Sequence, residues 1–332
     1  MNSFSLADCT TVEAALSQLK DGAVVKAGGV DLLDRMKNGT DTPKRLVNIR
    51  NIQALRGIQS TPEGLTIGAL TTLAEIADDP TIRSHYTVLA DACGHAATPH
   101  IRNVATIGGN LLQELQCWYF RSAEFQCIRK GKEQCFAFSG LNQYHAIMDY
   151  GGCPSVAPSS GAVALLALNG TVELTSAKGK RTVAIKDFYV QPDANPSRFH
   201  VMAPDELLTA IHIPKPAAGT RSAYQKYGEK ESHDWAIADA AIVLEMDGNI
   251  CRSAVVAMGA ASPVVRRSRE AEAALTGKPI TAETARAAGK AAMTGAMPLS
   301  LNGYKVQLFP VAIYRTILLA AGQMDRDPSA AG

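Results

Sequence analysis

Seven cysteines stand in this 332-residue chain, and four of them crowd into one stretch: Cys117, Cys127, Cys135 and Cys153. Their surroundings begin "QCWYFRSAEFQCIRKGKEQC", where Arg121, Arg129, Lys130 and Lys132 supply the positive charge that keeps a thiolate ionised. An odd cysteine total and no recognisable export signal disfavour disulfides. The spacing C-x9-C-x7-C-x17-C holds neither the C-x2-4-C knuckle of zinc sites nor the C-x2-C-x2-C run of bacterial ferredoxins. An all-thiolate set suits iron–sulfur or zinc chemistry, so two readings stay open: a metal site, or free thiols in a loop. Cys9, Cys93 and Cys251 are isolated and read as core or near-surface residues.

Two glycine pairs are the other chemical feature: Lys26-Ala27-Gly28-Gly29-Val30-Asp31 and Thr106-Ile107-Gly108-Gly109-Asn110. Without a Cβ, paired glycines let backbone N–H groups converge on an anion. Neither pair fits G-x-G-x-x-G or the phosphate-binding G-x-x-x-x-G-K-[ST] loop. Together they can grip a dinucleotide pyrophosphate from two sides, although each alone is better explained as a strand-end turn. His100, beside the second pair, reads as a structural hydrogen-bonder, and Trp118 and Tyr119 read as cover for Cys117.

The elements that must position these residues follow from periodicity. A helix over 10–20, with Thr10 and Glu13 forming a capping box, puts Val12, Ala15, Leu16 and Leu19 on one face. "AVVKAGGVD" and "RLVNIRNI" read as strands, and "EGLTIGALTTLAEIA" as a strand entering a helix capped near Thr71. Residues 1–56 therefore form a small α/β unit. Residues 57–216 form a second, with a buried helix at "GAVALLALNG", and a linker follows around Pro214 and Pro216. The remainder, to about 325, begins with a hairpin turned at Asp247-Gly248 and continues with three helical segments, the pattern of a separate α+β domain.

Composition narrows the class. A charge of +2 is too small a basic excess for nucleic-acid binding, and no apolar run approaches the ~20 residues that span a bilayer. Neither a nucleic-acid partner nor membrane insertion is expected. The cysteine usage and the first twenty residues, which lack a charged start and an apolar core, point to the cytoplasm.

Taken together, "AGGVDLL", "TPHIRNVATIGGN", "LLTAIHIP" and "KYGEKESHDWAIADAA" resemble the FAD-binding medium subunits of the molybdenum hydroxylases. These serve carbon monoxide dehydrogenase, xanthine dehydrogenase and bacterial aldehyde oxidoreductases. The resemblance spans about residues 5–320. It implies an α+β protein: a two-lobed FAD-binding domain of the vanillyl-alcohol-oxidase (PCMH-like) type, then a C-terminal α+β domain with a three-stranded sheet and helices. It also implies that Lys26, Ala27, Gly28, Gly29, Val30, Asp31 and Leu32 wrap the FAD pyrophosphate with Thr106, Ile107, Gly108, Gly109 and Asn110. Leu208 and Lys226 match further flavin-contacting positions.

The cysteine insert, about 114–156, resembles the segment that carries an extra 4Fe-4S cluster in the flavin subunit of 4-hydroxybenzoyl-CoA reductase and of some aldehyde oxidoreductases. By that likeness Cys117, Cys127, Cys135 and Cys153 are its ligands. Related sequences often read Pro-Ser-Asp where this chain has Pro158-Ser159-Ser160, so Ser160 brings a hydroxyl but no charge to the flavin.

The implied function is an oxidoreductase subunit for electron transfer with no acid–base residue of its own. Its implied partners are a large subunit with the molybdenum cofactor, a small ferredoxin-like subunit with 2Fe-2S clusters, and an external electron acceptor. A partner carrying a twin-arginine signal would instead place the complex in the periplasm. The rival readings are a free-standing FAD oxidase of the same fold and a zinc-stapled scaffold subunit.

Overall fold

The computed structural model describes residues 1–230 and 234–325, so Glu231, Ser232 and His233 of the "KYGEKESHDW" stretch lie outside the described residues. The chain opens with β1 (Ser5–Asp8), a strand whose exposed pattern gives no hydrophobic signal. In α1 (Val12–Gln18) the cap is Thr11, whose hydroxyl accepts from the Ala14 N–H, so the Thr10–Glu13 capping box does not form. Thr11 is the residue left in extended backbone just before the first turn, which aims its side chain at that N–H. The expected apolar face is present: Ala15 is buried, with Val12, Leu16 and Leu19 packed around it. Next come β2 (Val24–Lys26), α2 (Val30–Lys37) and β3 (Arg45–Asn48). The three strands form a parallel sheet in the order β1-β3-β2, with Leu46 and Val47 buried at its centre.

The second sheet is wholly antiparallel. Its first strands are β4 (Ile58–Thr61) and β5 (Gly64–Gly68). Then α3 (Leu73–Asp78) starts from a capping box between Thr72 and Glu75, one residue beyond Thr71. The Thr71 hydroxyl is engaged elsewhere, accepting from the Gly57 N–H and donating to the Gly57 carbonyl. Short helices follow: α4 (Pro80–His85), α5 (Thr87–Gly94), α6 (Pro99–Arg102), α7 (Ile107–Leu111) and, in the cysteine insert, α8 (Trp118–Arg121). In α9 (Ser160–Ala167) every residue from Gly161 onward is buried, as its uniform apolarity predicts. The strands β6 (Thr171–Ser176) and β7 (Gly179–Ala184), the turn α10 (Ile185–Phe188) and β8 (Leu207–Pro214) complete the order β4-β5-β8-β6-β7.

After five connecting residues the third sheet begins. Its strands are β9 (Thr220–Tyr227), β10 (Ala238–Asp247), β11 (Ile250–Gly259) and β12 (Arg266–Arg267), in the order β12-β11-β10-β9. Three long strands match the expectation, and β12 adds a two-residue fourth. Asp247 pairs with Ile250, so the hairpin turns on Gly248-Asn249 rather than Asp247-Gly248, with Gly248 at φ 58°. Side chains alternate along β10. Ala240, Ile242 and Leu244 face α11 (Arg269–Leu275), α12 (Ala282–Ala291) and α13 (Lys305–Ala320), whereas Ala241 packs with α9. Among the described residues no helix is long and apolar enough to cross a membrane.

Candidate functional site

All three sheets contribute to one cavity of about 810 Å³. Lining it are Lys26, Ala27, Gly28, Gly29, Val30, Asp31, Leu32, Thr106, Gly108, Gly109, Asn110, Ser160, Leu208 and Lys226. Of the positions singled out for a cofactor, Ile107 alone is not on the wall. Its side chain is buried and its N–H donates to the Thr71 carbonyl at 2.9 Å. His100 is exposed on α6 and does not line the cavity.

The two glycine motifs meet because Gly28 has no side chain. A Cβ there would lie 2.2 Å from the Val104 carbonyl oxygen, two residues before Thr106. Gly29, at φ 80°, then turns the chain into α2, whose start carries no side-chain cap. The first N–H groups of a helix have no acceptor within it, so the α2 N-terminus brings donors and a partial positive charge to the cavity wall.

The second motif works differently from the turn expected for it. Gly108 and Gly109 lie inside α7, and its N–H groups already have protein acceptors. Ile107 donates to Thr71, Gly108 to the Ala69 carbonyl at 2.9 Å, and Asn110 to the Thr106 carbonyl at 2.8 Å. Gly109 donates to the Thr106 hydroxyl at 3.1 Å. What this motif gives the cavity is a smooth wall and Asn110. The Asn110 side-chain oxygen accepts from the Ser159 hydroxyl at 2.6 Å and the Gly161 N–H at 3.2 Å, pinning the start of α9.

Ser160 stands on that start and hydrogen-bonds Tyr224, whose hydroxyl donates to Asp239 at 2.8 Å. Asp239 is buried, and burial raises its carboxyl to about 6. Sequence reading missed this acid, although an aspartate inside the apolar strand "ADAAIVL" is itself a signal. Lys226 spends two of its protons on carbonyls, His95 at 2.6 Å and Asp234 at 3.0 Å, and burial lowers its pKa.

At the other end of the cavity a charged network links α2 to the cysteine insert. Asp31 accepts from Arg121 at 2.5 Å and from the Glu114 N–H at 3.1 Å. Arg35 pairs with Asp31, Asp41 and Glu114 at 3.2, 2.6 and 2.5 Å. Glu114 is nevertheless raised by burial, which outweighs Arg35.

Within the insert the Cys117 thiol lies near those of Cys127, Cys135 and Cys153, and Cys135 lies near Cys153. Cys135 donates to Cys153, which lowers Cys153 and raises Cys135, and Cys117 interacts electrostatically with Cys153 and Cys127. His145 Nε2 lies 3.2 Å from Cys117 Sγ. Of the four cations expected to serve the thiols, Arg129 does so: it is buried, interacts with Cys153 and Cys127, and stacks over Phe199 at 4.3 Å. Its Nε and Nη1 atoms, Trp118 Nε1 and His145 Nδ1 are buried without partners. Arg121 instead serves the α2 network. Lys130 donates to the carbonyls of Tyr119, Ser122 and Phe125, and Lys132 is exposed. No group of three or more His, Cys, Asp or Glu among the described residues is arranged around a single metal ion. A second cavity of about 280 Å³ runs from Cys117 and His145 to Gln116, Val156 and residues 234–236, which also line the large one.

Comparison with known proteins adds the decisive observation. Residues 2–216 match the family described as the FAD binding domain in molybdopterin dehydrogenase, and residues 222–320 match the CO dehydrogenase flavoprotein C-terminal domain. The chain belongs to the FAD-binding subunits of the molybdenum hydroxylases. It is 33% identical to the aldehyde oxidoreductase FAD-binding subunit PaoB of Escherichia coli K12, covering 90% of this chain and 92% of that one. The carbon monoxide dehydrogenase medium chain of Hydrogenophaga pseudoflava is 27% identical, with 94% and 89% covered. A solved structure of that enzyme, lacking the Mo-pyranopterin moiety of its cofactor, superposes with a TM-score of 0.76 at 26% identity over 98% and 99% of the two chains. In this FAD subunit of an oxidoreductase family, both glycine pairs stand on the wall of one large cavity.

Proposed function

We propose that this subunit holds FAD in the large cavity and passes electrons between 2Fe-2S clusters of a small partner subunit and an external acceptor. Substrate chemistry belongs, in this reading, to a large partner subunit with the molybdenum cofactor. Relatives named as medium chains and FAD-binding subunits support that division of labour. The observation that carries the reading is the uncapped α2 N-terminus on the cavity wall, held there by the packing of Gly28 on Val104.

When bound, FAD exchanges single electrons with one-electron carriers and pairs with two-electron acceptors. The chain's own residues bind and orient it. The α2 N–H groups take the diphosphate charge, the second motif and Leu208 give an apolar wall, and the Ser160–Tyr224–Asp239 chain offers hydrogen bonds at the deep side. No side chain is assigned a substrate acid–base role.

We further infer that Cys117, Cys127, Cys135 and Cys153 hold a 4Fe-4S cluster. The unpartnered, buried guanidinium edge of Arg129 beside the thiols asks for an anion, and thiolate-bound iron–sulfide supplies one. A four-iron body needs thiols spread more widely than those around one ion. Trp118, Tyr119, Phe125 and Phe136 pack against one another, mostly edge to face, beside the thiols. The cluster would supply a further one-electron station. The proposed units are 1–56, 57–216 with the insert at about 114–156, and 217–325, in a cytoplasmic complex.

Purification tests all of this. A yellow-brown subunit releasing FAD on denaturation, with about four irons and four sulfides per chain, isolated with two partner chains, is the expected result. A colourless chain that takes up no flavin overturns the flavin reading, and one zinc in place of iron overturns the cluster.

A further inference from the structure

The cysteine insert and the first glycine motif lie some ninety positions apart, yet they share one carboxylate. Asp31 sits in the first turn of α2. One of its oxygens accepts from Arg121 Nη2 at 2.5 Å, and the other from the Glu114 N–H at 3.1 Å. Arg121 is itself locked, because Nε donates to the Leu115 carbonyl and Nη2 to the Glu114 carbonyl, both at 2.8 Å. Its Nη1 reaches Asp34 at 3.4 Å.

We propose that Arg121 is a positioning residue for FAD, holding Asp31 and through it the N-terminal turn of α2 in the conformation that receives the pyrophosphate. This rests on the reading that the cavity holds FAD. Two arguments carry it. Asp31, Asp34 and Glu114 all line the cavity beside that turn, and carboxylates without partners there would repel a diphosphate. Arg121 and Arg35 pair with these carboxylates and offset part of that charge, from side chains mostly shielded from water, where pairing is strong. Arg121 also stands between Cys117 and Cys127, so whatever orders the cysteine insert also fixes the FAD loop.

The test titrates the deflavinated full chain with FAD, following quenching of flavin fluorescence, in wild type, Arg121→Ala, Arg121→Lys, Asp31→Ala and the Arg121→Ala/Asp31→Ala double variant. Iron per chain is measured in each. Arg121→Ala should raise the FAD Kd by about tenfold or more, and Arg121→Lys, which keeps the charge but loses the fork, by less. In the Asp31→Ala background the same Arg121 change should matter by less than about twofold, since its effect runs through Asp31. An unchanged Kd in Arg121→Ala, or an equal loss in both backgrounds, overturns the proposal. Should Arg121→Ala lose its folded circular dichroism, Arg121→Lys and Asp31→Asn carry the test, and wild-type affinity in both overturns it. Wild-type protein that binds no FAD overturns the parent reading instead.

Discussion

Gly28 rests against Val104 so closely that an added Cβ would stand 2.2 Å from the Val104 carbonyl oxygen. Neither partner there is a flexible side-chain end, so a larger residue must push the two glycine motifs apart. Gly28→Ala should lower stability by about 1–3 kcal/mol and release FAD. Gly109→Ala, which meets the Thr106 hydroxyl at 3.1 Å, should be milder. Thermal unfolding and flavin content measure both, and equal behaviour of the two variants counts against the contact as the organising one.

If the insert holds the proposed 4Fe-4S cluster, Arg129 makes opposite demands of its loaded and unloaded forms. Without an anion beside it, a buried cation with unpartnered N–H groups costs stability; with one, it contributes. Arg129→Met should therefore raise the unfolding temperature of iron-free protein and lower that of iron-loaded protein, with less iron retained. A change of the same sign in both forms would remove Arg129 from the site.

Lys226 ties β9 to His95 and to the segment at Asp234, both through backbone carbonyls. Lys226→Met keeps the volume and loses two charge-assisted hydrogen bonds, each worth about 1.5–3 kcal/mol. Because residues 234–236 line the cavity, FAD affinity should fall with stability. Urea unfolding and FAD titration together check this, and wild-type stability would show that the two bonds are replaced by water.

Asp239 gives a pH dependence. Its carboxyl rises from 3.8 to about 6 through burial, against the pull of Tyr224, Lys226 and Lys305, the groups that face it. Folded protein then binds more protons than unfolded protein between those values, so stability falls as pH rises through that window. Asp239→Asn should gain on wild type by about 1 kcal/mol between about pH 5 and 7.5. Parallel urea midpoints for the two proteins at both pH values would contradict the assignment.

Much of this was legible in the sequence where one physical signal acts alone. The apolar face of α1 follows from periodicity, the burial of α9 from its uniform apolarity and the β10–β11 hairpin from its turn residues, and small offsets at Thr11, Thr72 and Gly248-Asn249 reflect caps and registers that neighbouring backbone selects. β1 was invisible because its side chains are mostly exposed and only its backbone pairing with β3 makes it a strand.

By itself the sequence determined which residues stand out as candidates: two glycine pairs and four cysteines, types whose missing Cβ or thiolate has no substitute. Tertiary structure alone decided how they are used. Gly28 joins the two motifs through a backbone contact, the second motif spends its N–H groups inside the protein, and Arg121 leaves the thiols to serve Asp31. Hydrogen-bond partners and charge pairs are fixed by which groups share a desolvated space, and positions ninety apart share one only after the chain has folded.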